Sequence, residues 1–235
     1  MNSVIHKSAT RGHANHGWLD THHTFSFGQY YDPTRVNFGA LRVLNDDIVD
    51  GGKGFGRHPH DNMEIISIPL AGDLEHMDSM NNVAVIRQND VQIMSAGTGI
   101  YHSEYNRNRD QKVNFLQIWV FPKQRNITPN YDQNTFRPED RKNRFQLIVS
   151  PDKKDGSVLI NQDAWFYLAD FDAGFKSDYK FNLDGNGLYI FVLEGNASVE
   201  GIELNKRDGL GVWDTSQVAI AADTNAQLLL MEVPM

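Results

Sequence analysis

The sequence predicts an all-β protein in which one sandwich or barrel fold occurs twice and helix is a minor component. Three observations predict it. Short runs rich in Val, Ile, Phe, Tyr and Trp recur along the chain, turn signals bearing Gly and Asn separate them, and two stretches share a strand-turn-Asp-strand pattern. A length of 235 residues fits one large or two small domains and buries a core without covalent staples. With 40% hydrophobic and 22% charged residues, the composition is that of an ordered globular chain.

In chain order the predicted strands are residues 38–45, 63–70, 91–96, 113–121, 145–150, 165–170, 188–194, 216–221 and 227–233. Between them lie turns such as Asp50-Gly51-Gly52, Ala71-Gly72-Asp73, Asp155-Gly156, Asp184-Gly185-Asn186-Gly187 and Glu194-Gly195-Asn196, whose Gly and Asn tolerate positive φ. The best helix candidate, residues 137–144, is short and polar. Residues 122–144 are the most polar stretch and hold Pro122, Pro129 and Pro138, as a connector would. A division into residues 1–130 and 131–235 is therefore expected. Leu70-Ala71-Gly72-Asp73 resembles Leu193-Glu194-Gly195-Asn196, and each is followed by an Asp, at 90 and 208, that precedes another apolar strand.

The charge and Cys counts exclude several functions. With 22 basic against 30 acidic side chains the net charge is −8, and no Lys/Arg stripe offers a nucleic-acid backbone its counterions, so direct nucleic-acid binding is not expected. Zero Cys excludes disulfides, thiolate zinc sites, iron-sulfur clusters and Cys nucleophiles. The N-terminus builds no signal-peptide core, and the longest apolar runs fall far below the roughly 20 residues that cross a bilayer, so a cytoplasmic protein without membrane contact is expected.

All nine His lie at or before position 102. His58 and His60 flank Pro59, and on a strand residues i and i+2 project from one face, which is metal-ligand spacing. His102 and Glu104 repeat that relation after the turn Ser95-Ala96-Gly97-Thr98-Gly99. An isolated H-x-H pair is commonly a surface or hydrogen-bonded feature, but the second pair in the same half makes convergence the better reading. Three imidazoles and a carboxylate suit Fe, Cu, Ni, Mn or Zn, and ligand type alone does not choose among them.

Residues 52–72 resemble the first cupin motif and residues 91–106 the second, with Gly99, His102 and Asn106 at the expected offsets. Three departures are visible: the spacer from Glu64 to Gly72 is one residue long of the pattern, and Val91 and Gly97 replace the usual Gly and Pro. Arg11-Gly12, His16-Gly17-Trp18-Leu19-Asp20, His23-Thr24-Phe25-Ser26-Phe27, Tyr30-Tyr31-Asp32-Pro33 and Arg57-His58-Pro59-His60 are similar to pirin signatures. The resemblance covers essentially the whole chain and is nearest to bacterial pirin-like bicupins, some of which are quercetin 2,3-dioxygenases.

That resemblance implies two tandem cupin barrels and a metal held by His58, His60, His102 and Glu104, iron first, with Cu, Ni, Mn, Co and Zn as alternatives. It implies a dioxygenase that opens a flavonol ring with O2, in which Glu104 serves as ligand and base and Glu64 is a supporting residue. It also carries a second expectation, a non-catalytic regulator that binds a protein partner as eukaryotic pirins do. A monomer is expected. Phe38, Leu41, Met63, Ile65 and Ile93 are expected to wall the substrate site or to be core. The N-terminal aromatics Trp18, Phe25, Phe27, Tyr30 and Tyr31 are expected to pack on the barrel. His76 reads as a wall or surface residue, and His13, His16, His22 and His23 as packing or rim residues.

Carrying the Gly72/Gly195 and Asp90/Asp208 matches across, the second-half counterparts of His58, His60, His102 and Glu104 fall on Phe181, Leu183, Ile220 and Ala222. All are apolar, as a site retired into core would be.

Overall fold

Alternating side chains on short apolar runs give each strand two distinct faces, and those faces build the layers. The computed structural model describes residues 1–235. The strands of the first half are β1 (Asn2–His6), β2 (Gly12–Asn15), β3 (Leu19–His23), β4 (Leu41–Val49), β5 (Gly54–His60), β6 (Glu64–Ala71), β7 (Leu74–Asp78), β8 (Val83–Ile86), β9 (Asp90–Ser95), β10 (Ile100–Asn106) and β11 (Val113–Val120). The rest are β12 (Asn130–Thr135), β13 (Gln146–Ser150), β14 (Val158–Leu159), β15 (Trp165–Phe171), β16 (Lys176–Lys180), β17 (Asn186–Glu194), β18 (Ala197–Val199), β19 (Ile202–Leu204), β20 (Gly209–Trp213), β21 (Gln217–Ala222) and β22 (Ala226–Pro234). Helix is confined to three single 3-10 turns, and the expected helix at 137–144 shrinks to Pro138–Arg141. No helix is long and apolar enough to cross a membrane.

Each half pairs a seven-stranded sheet with a four-stranded one. In the first half the sheets run β12-β9-β6-β11-β4-β3-β2 and β5-β10-β7-β8, and in the second β1-β20-β17-β22-β15-β13-β14 and β16-β21-β18-β19. The two seven-stranded sheets pack against each other through a core of 26 buried residues that includes Ile66, Ile68, Leu116 and Ile118 from the first and Phe166, Phe191, Leu229 and Met231 from the second. The second barrel is filled by a continuous cluster of 17 apolar residues. The first barrel has only two small clusters, of six and four residues, and Ser67, His76, His102, Glu104 and Gln117 are buried beside them.

The expected division between residues 130 and 131 falls inside β12, which pairs with β9 of the first half. β12 reads as a connector because an edge strand held by backbone hydrogen bonds needs no apolar face. In the opposite direction β1 joins the second half through β20.

The sheet register shifts the repeat correspondence by two residues. His76 pairs with Glu104 and Val199 with Ile220, so Glu104 corresponds to Ile220 and His102 to Val218. His58 pairs with His102 and Tyr179 with Val218, which puts His58 opposite Tyr179 in the repeat and His60 opposite Phe181. The turn preceding β21 is shorter than the one preceding β10, and the connection from β16 to β17 is longer than that from β5 to β6, so neither the Asp90/Asp208 nor the Gly72/Gly195 match carries across to these strands in register. A two-residue slip preserves the inward face, so the replacements remain hydrophobic in body.

The seam between the halves includes Gly39, at φ +51, whose hypothetical Cβ would lie 2.1 Å from the Pro234 carbonyl oxygen. That carbonyl accepts the Ala40 N–H at 2.8 Å. Gly39→Ala is expected to destabilise the protein by about 1–3 kcal/mol through this overlap and the left-handed backbone, measured as a lower urea midpoint at unchanged slope.

Candidate metal centre and adjoining cavity

Strands β5 and β10 lie side by side, and their pairing places His58 directly opposite His102. Along β10 the residues Ile100, His102, Glu104 and Asn106 are buried while Tyr101 and Tyr105 are exposed, so the i, i+2 reading of His102 and Glu104 holds. The ring centroids of His58 and His102 are 4.4 Å apart, and His60 stands 4.9 Å from each. The ligand atoms of His58, His60 and His102 lie within 4.8 Å of one another, as do those of a second trio, His76, His102 and Glu104, which shares His102.

The protonation states suit a cation. Burial, then the neighbouring imidazoles, pushes His60 down to about 4 and His102 down to about 3, so both rings are neutral and offer lone pairs at neutral pH. His58 Nδ1 lies 2.7 Å from the Gly56 carbonyl oxygen, which favours the tautomer with Nε2 free. Both ring nitrogens of His102 are buried without a hydrogen-bond partner. An imidazole with two orphaned nitrogens is costly unless another group satisfies one of them, and a metal ion does so. The residues present therefore fit a divalent ion bound by nitrogen and oxygen.

Glu104 is held by residues that the sequence did not single out. Ser67 Oγ donates to its Oε1 at 3.0 Å and Gln117 Nε2 to its Oε2 at 2.8 Å. Each carboxylate oxygen keeps a lone pair free of those bonds. Ser67 and Gln117 interrupt the apolar strands β6 and β11 at positions facing each other in register, and that break in alternation was the available signal. His76, read as wall or surface, is fully buried, 5.4 Å from His102 between ring centroids, with Nε2 3.2 Å from Asp78. Burial pushes the Asp78 carboxyl up, but hydrogen bonds from Asn82, His76 and Met80 outweigh it and hold Asp78 below the usual carboxylate range. Glu64 accepts from Ser95 Oγ at 2.7 Å and from the Asn161 N–H at 3.0 Å, which ties it to the second half of the chain.

A cavity of about 460 Å³ opens between β5 and β3, lined among others by Thr21, His23, Phe27, Tyr30, Asn45, Asp47 and Phe55. Its inner wall approaches the centre: Asn45 is the register partner of Gln117, the Glu104 donor, and Phe27 stacks edge-on against Trp119, which in turn stacks on His60. Of the two places expected for Phe38, Leu41, Met63, Ile65 and Ile93, wall or core, the structure gives them to core clusters, and none lines this cavity. Phe38, Leu41 and Ile93 belong to the core between the halves, and Met63 and Ile65 pack near Trp119, so the N-terminal segment supplies the cavity's rings instead.

At its base, Asp47 is pushed up to about 7 by burial, helped by Asp46 and Glu104 and opposed by its hydrogen bond from Thr21. A carboxyl raised in the folded state binds a proton that the unfolded chain has already lost. Its contribution to stability is full below the ordinary carboxylate value and lost as pH rises through about 7. Asp47→Asn keeps the acceptor for Thr21 and removes the titration. Wild type is expected to lose melting temperature between about pH 4 and 7 relative to this variant, whose profile stays flatter across that window.

Two facing-sheet barrels in tandem, with a cluster of ligand-type side chains in the first and an apolar interior in the second, define a bicupin. Residues 4–120 match the family model described as Pirin, and residues 147–233 match that described as Quercetinase C-terminal cupin domain. The chain is 43% identical to a quercetin 2,3-dioxygenase of Escherichia coli K12 over 98% of both chains, and 39% identical to a pirin-like protein of Caulobacter vibrioides over 94% of this chain and 95% of that one. Its fold matches the crystal structure of a bacterial pirin from Escherichia coli in complex with nickel(II), with a TM-score of 0.94 and 42% identity over 99% of both chains. The chain belongs to the pirin family.

Proposed function

We propose that this protein is a metal-dependent dioxygenase that opens the central ring of a flavonol of the quercetin type with O2, releasing CO. His58, His60, His102 and Glu104 hold one divalent transition metal, with iron the first expectation. The observation that carries this reading is the convergence of three imidazoles, one of them with both nitrogens orphaned, beside a carboxylate fixed by two donors. The quercetin 2,3-dioxygenase name of the 43% identical relative and the nickel(II) in the related crystal structure support it.

When bound, the ion supplies a Lewis acid and a template for a phenolic oxygen. Glu104 takes the proton of that hydroxyl, and the Ser67 and Gln117 hydrogen bonds keep its carboxylate oriented toward the substrate. Phe27, Tyr30 and Phe55 offer apolar faces to a flat aromatic ligand, and the polar side of the cavity, His23, Asn45 and Asp47, offers partners for its hydroxyls. The volume lies within the range of small-molecule pockets.

Glu104→Gln keeps the shape and removes the base, so quercetin-dependent O2 uptake and CO release are expected to fall by about 100-fold or more, the scale of general-base loss. His102→Ala is expected to abolish both turnover and metal retention, measured by elemental analysis of the purified variant. Metal-replete wild type that consumes no flavonol would overturn the enzyme reading in favour of a metal-binding regulator.

A further inference from the structure

The geometry points to a second divalent-metal site, on the outer face of the β2–β3 hairpin, formed by His13, Asp20 and His22. Antiparallel pairing sets His13 opposite His22 and Asn15 opposite Asp20. Strand alternation turns Asp20 and His22 away from Thr21 and His23, which line the cavity; His13 borders the cavity, and the cluster shares no residue with the centre in the barrel.

The side chains are already gathered as a ligand set. The two imidazoles stack with centroids 4.5 Å apart and planes 21° apart. His13 Nε2 lies 2.8 Å from Asp20 Oδ1, His22 Nδ1 lies 3.9 Å from the same oxygen, and all three ligand atoms fall within 4.8 Å of one another. A first-row ion with bonds of about 2.0–2.2 Å places neighbouring ligand atoms roughly 3–4 Å apart, so closure asks for side-chain shifts of about an ångström or less. A plain surface His-Asp hydrogen bond accounts for His13 and Asp20 but leaves the stacked second ring, turned toward the same carboxylate, unexplained.

The charge of Arg11, which opposes a cation, is offset by Asp46, 3.6 Å away. With side-chain exposures of 52% for His13, 37% for His22 and 38% for Asp20, the site opens to water, which completes the coordination shell. Two imidazoles and one carboxylate select zinc, nickel, cobalt or copper(II) over magnesium and calcium. β2 is the four-residue edge strand of its sheet, and an ion here fastens it to β3, the strand whose inner face forms the cavity wall.

The test uses the full chain stripped with a chelator and dialysed against micromolar zinc, with bound metal counted by elemental analysis. Wild type is expected to hold two equivalents, a His58→Ala/His102→Ala double variant one, and a His13→Ala/His22→Ala double variant one. Zinc is also expected to raise the melting temperature of the His58→Ala/His102→Ala protein, an effect lost when His22→Ala is added. The proposal is overturned if the His58→Ala/His102→Ala variant holds no zinc, if His13→Ala/His22→Ala holds as much zinc as wild type, or if magnesium displaces the equivalent held by His58→Ala/His102→Ala. None of these outcomes bears on flavonol turnover, so this site and the proposed activity stand or fall separately.

Discussion

The structure depends on one constraint: the seven-stranded sheet of the first half is buried on both faces, and the two faces carry opposite chemistry. On β6 and β11, Ile66, Ile68, Leu116 and Ile118 face the other half and form its seam. Their neighbours Ser67 and Gln117 face inward and hold Glu104. Period-two alternation thus makes one strand pair both the wall that joins the halves and the frame that orients the candidate centre. Apolar burial on one face offsets the cost of keeping polar groups out of water on the other, and those groups are kept affordable by bonding to one another.

The second half shows the same frame with the polar side replaced. Tyr179, Phe181, Val218 and Ile220 occupy the places of the four candidate ligands, and they join or pack on a continuous apolar core. Tyr179 keeps one polar atom, which donates to Glu232 at 2.6 Å. Glu232 is itself buried and also accepts from Asn182, Leu183 and Asn186, so the Tyr179 hydroxyl joins a satisfied polar network at the edge of that core.

Much of this was legible in the sequence because strands buried on both faces are continuous apolar runs bounded by turns. The nine expected strands all lie on observed ones, with ends shifted by a few residues. Strands that escaped notice, such as β12, β16 and β2, are polar, short or at an edge, and backbone pairing with a neighbour stabilises them without an apolar pattern. The H-x-H and H-x-E spacings point to the candidate centre because a strand's period maps directly onto one face. Its supporting residues did not announce themselves. Asp47, Ser67 and Gln117 are isolated polar residues in apolar runs, and only the fold shows that they meet. The sequence leaves the walls of the cavity open for a related reason, since a run such as Phe38 to Leu41 does not say which of two apolar environments it will enter.

The exchanged strands β1 and β12 bear on whether either half can be removed. The first residues of the protein are stitched into the second barrel through β20, and a segment past residue 129 is stitched into the first through β9. No single cut leaves two complete sheets. A barrel without a ligand cluster is easily taken for dispensable, but here its removal would strand β1 and bare the apolar seam of the first half. The second barrel is an architectural dependency of the first, and the two halves fold as one interleaved unit.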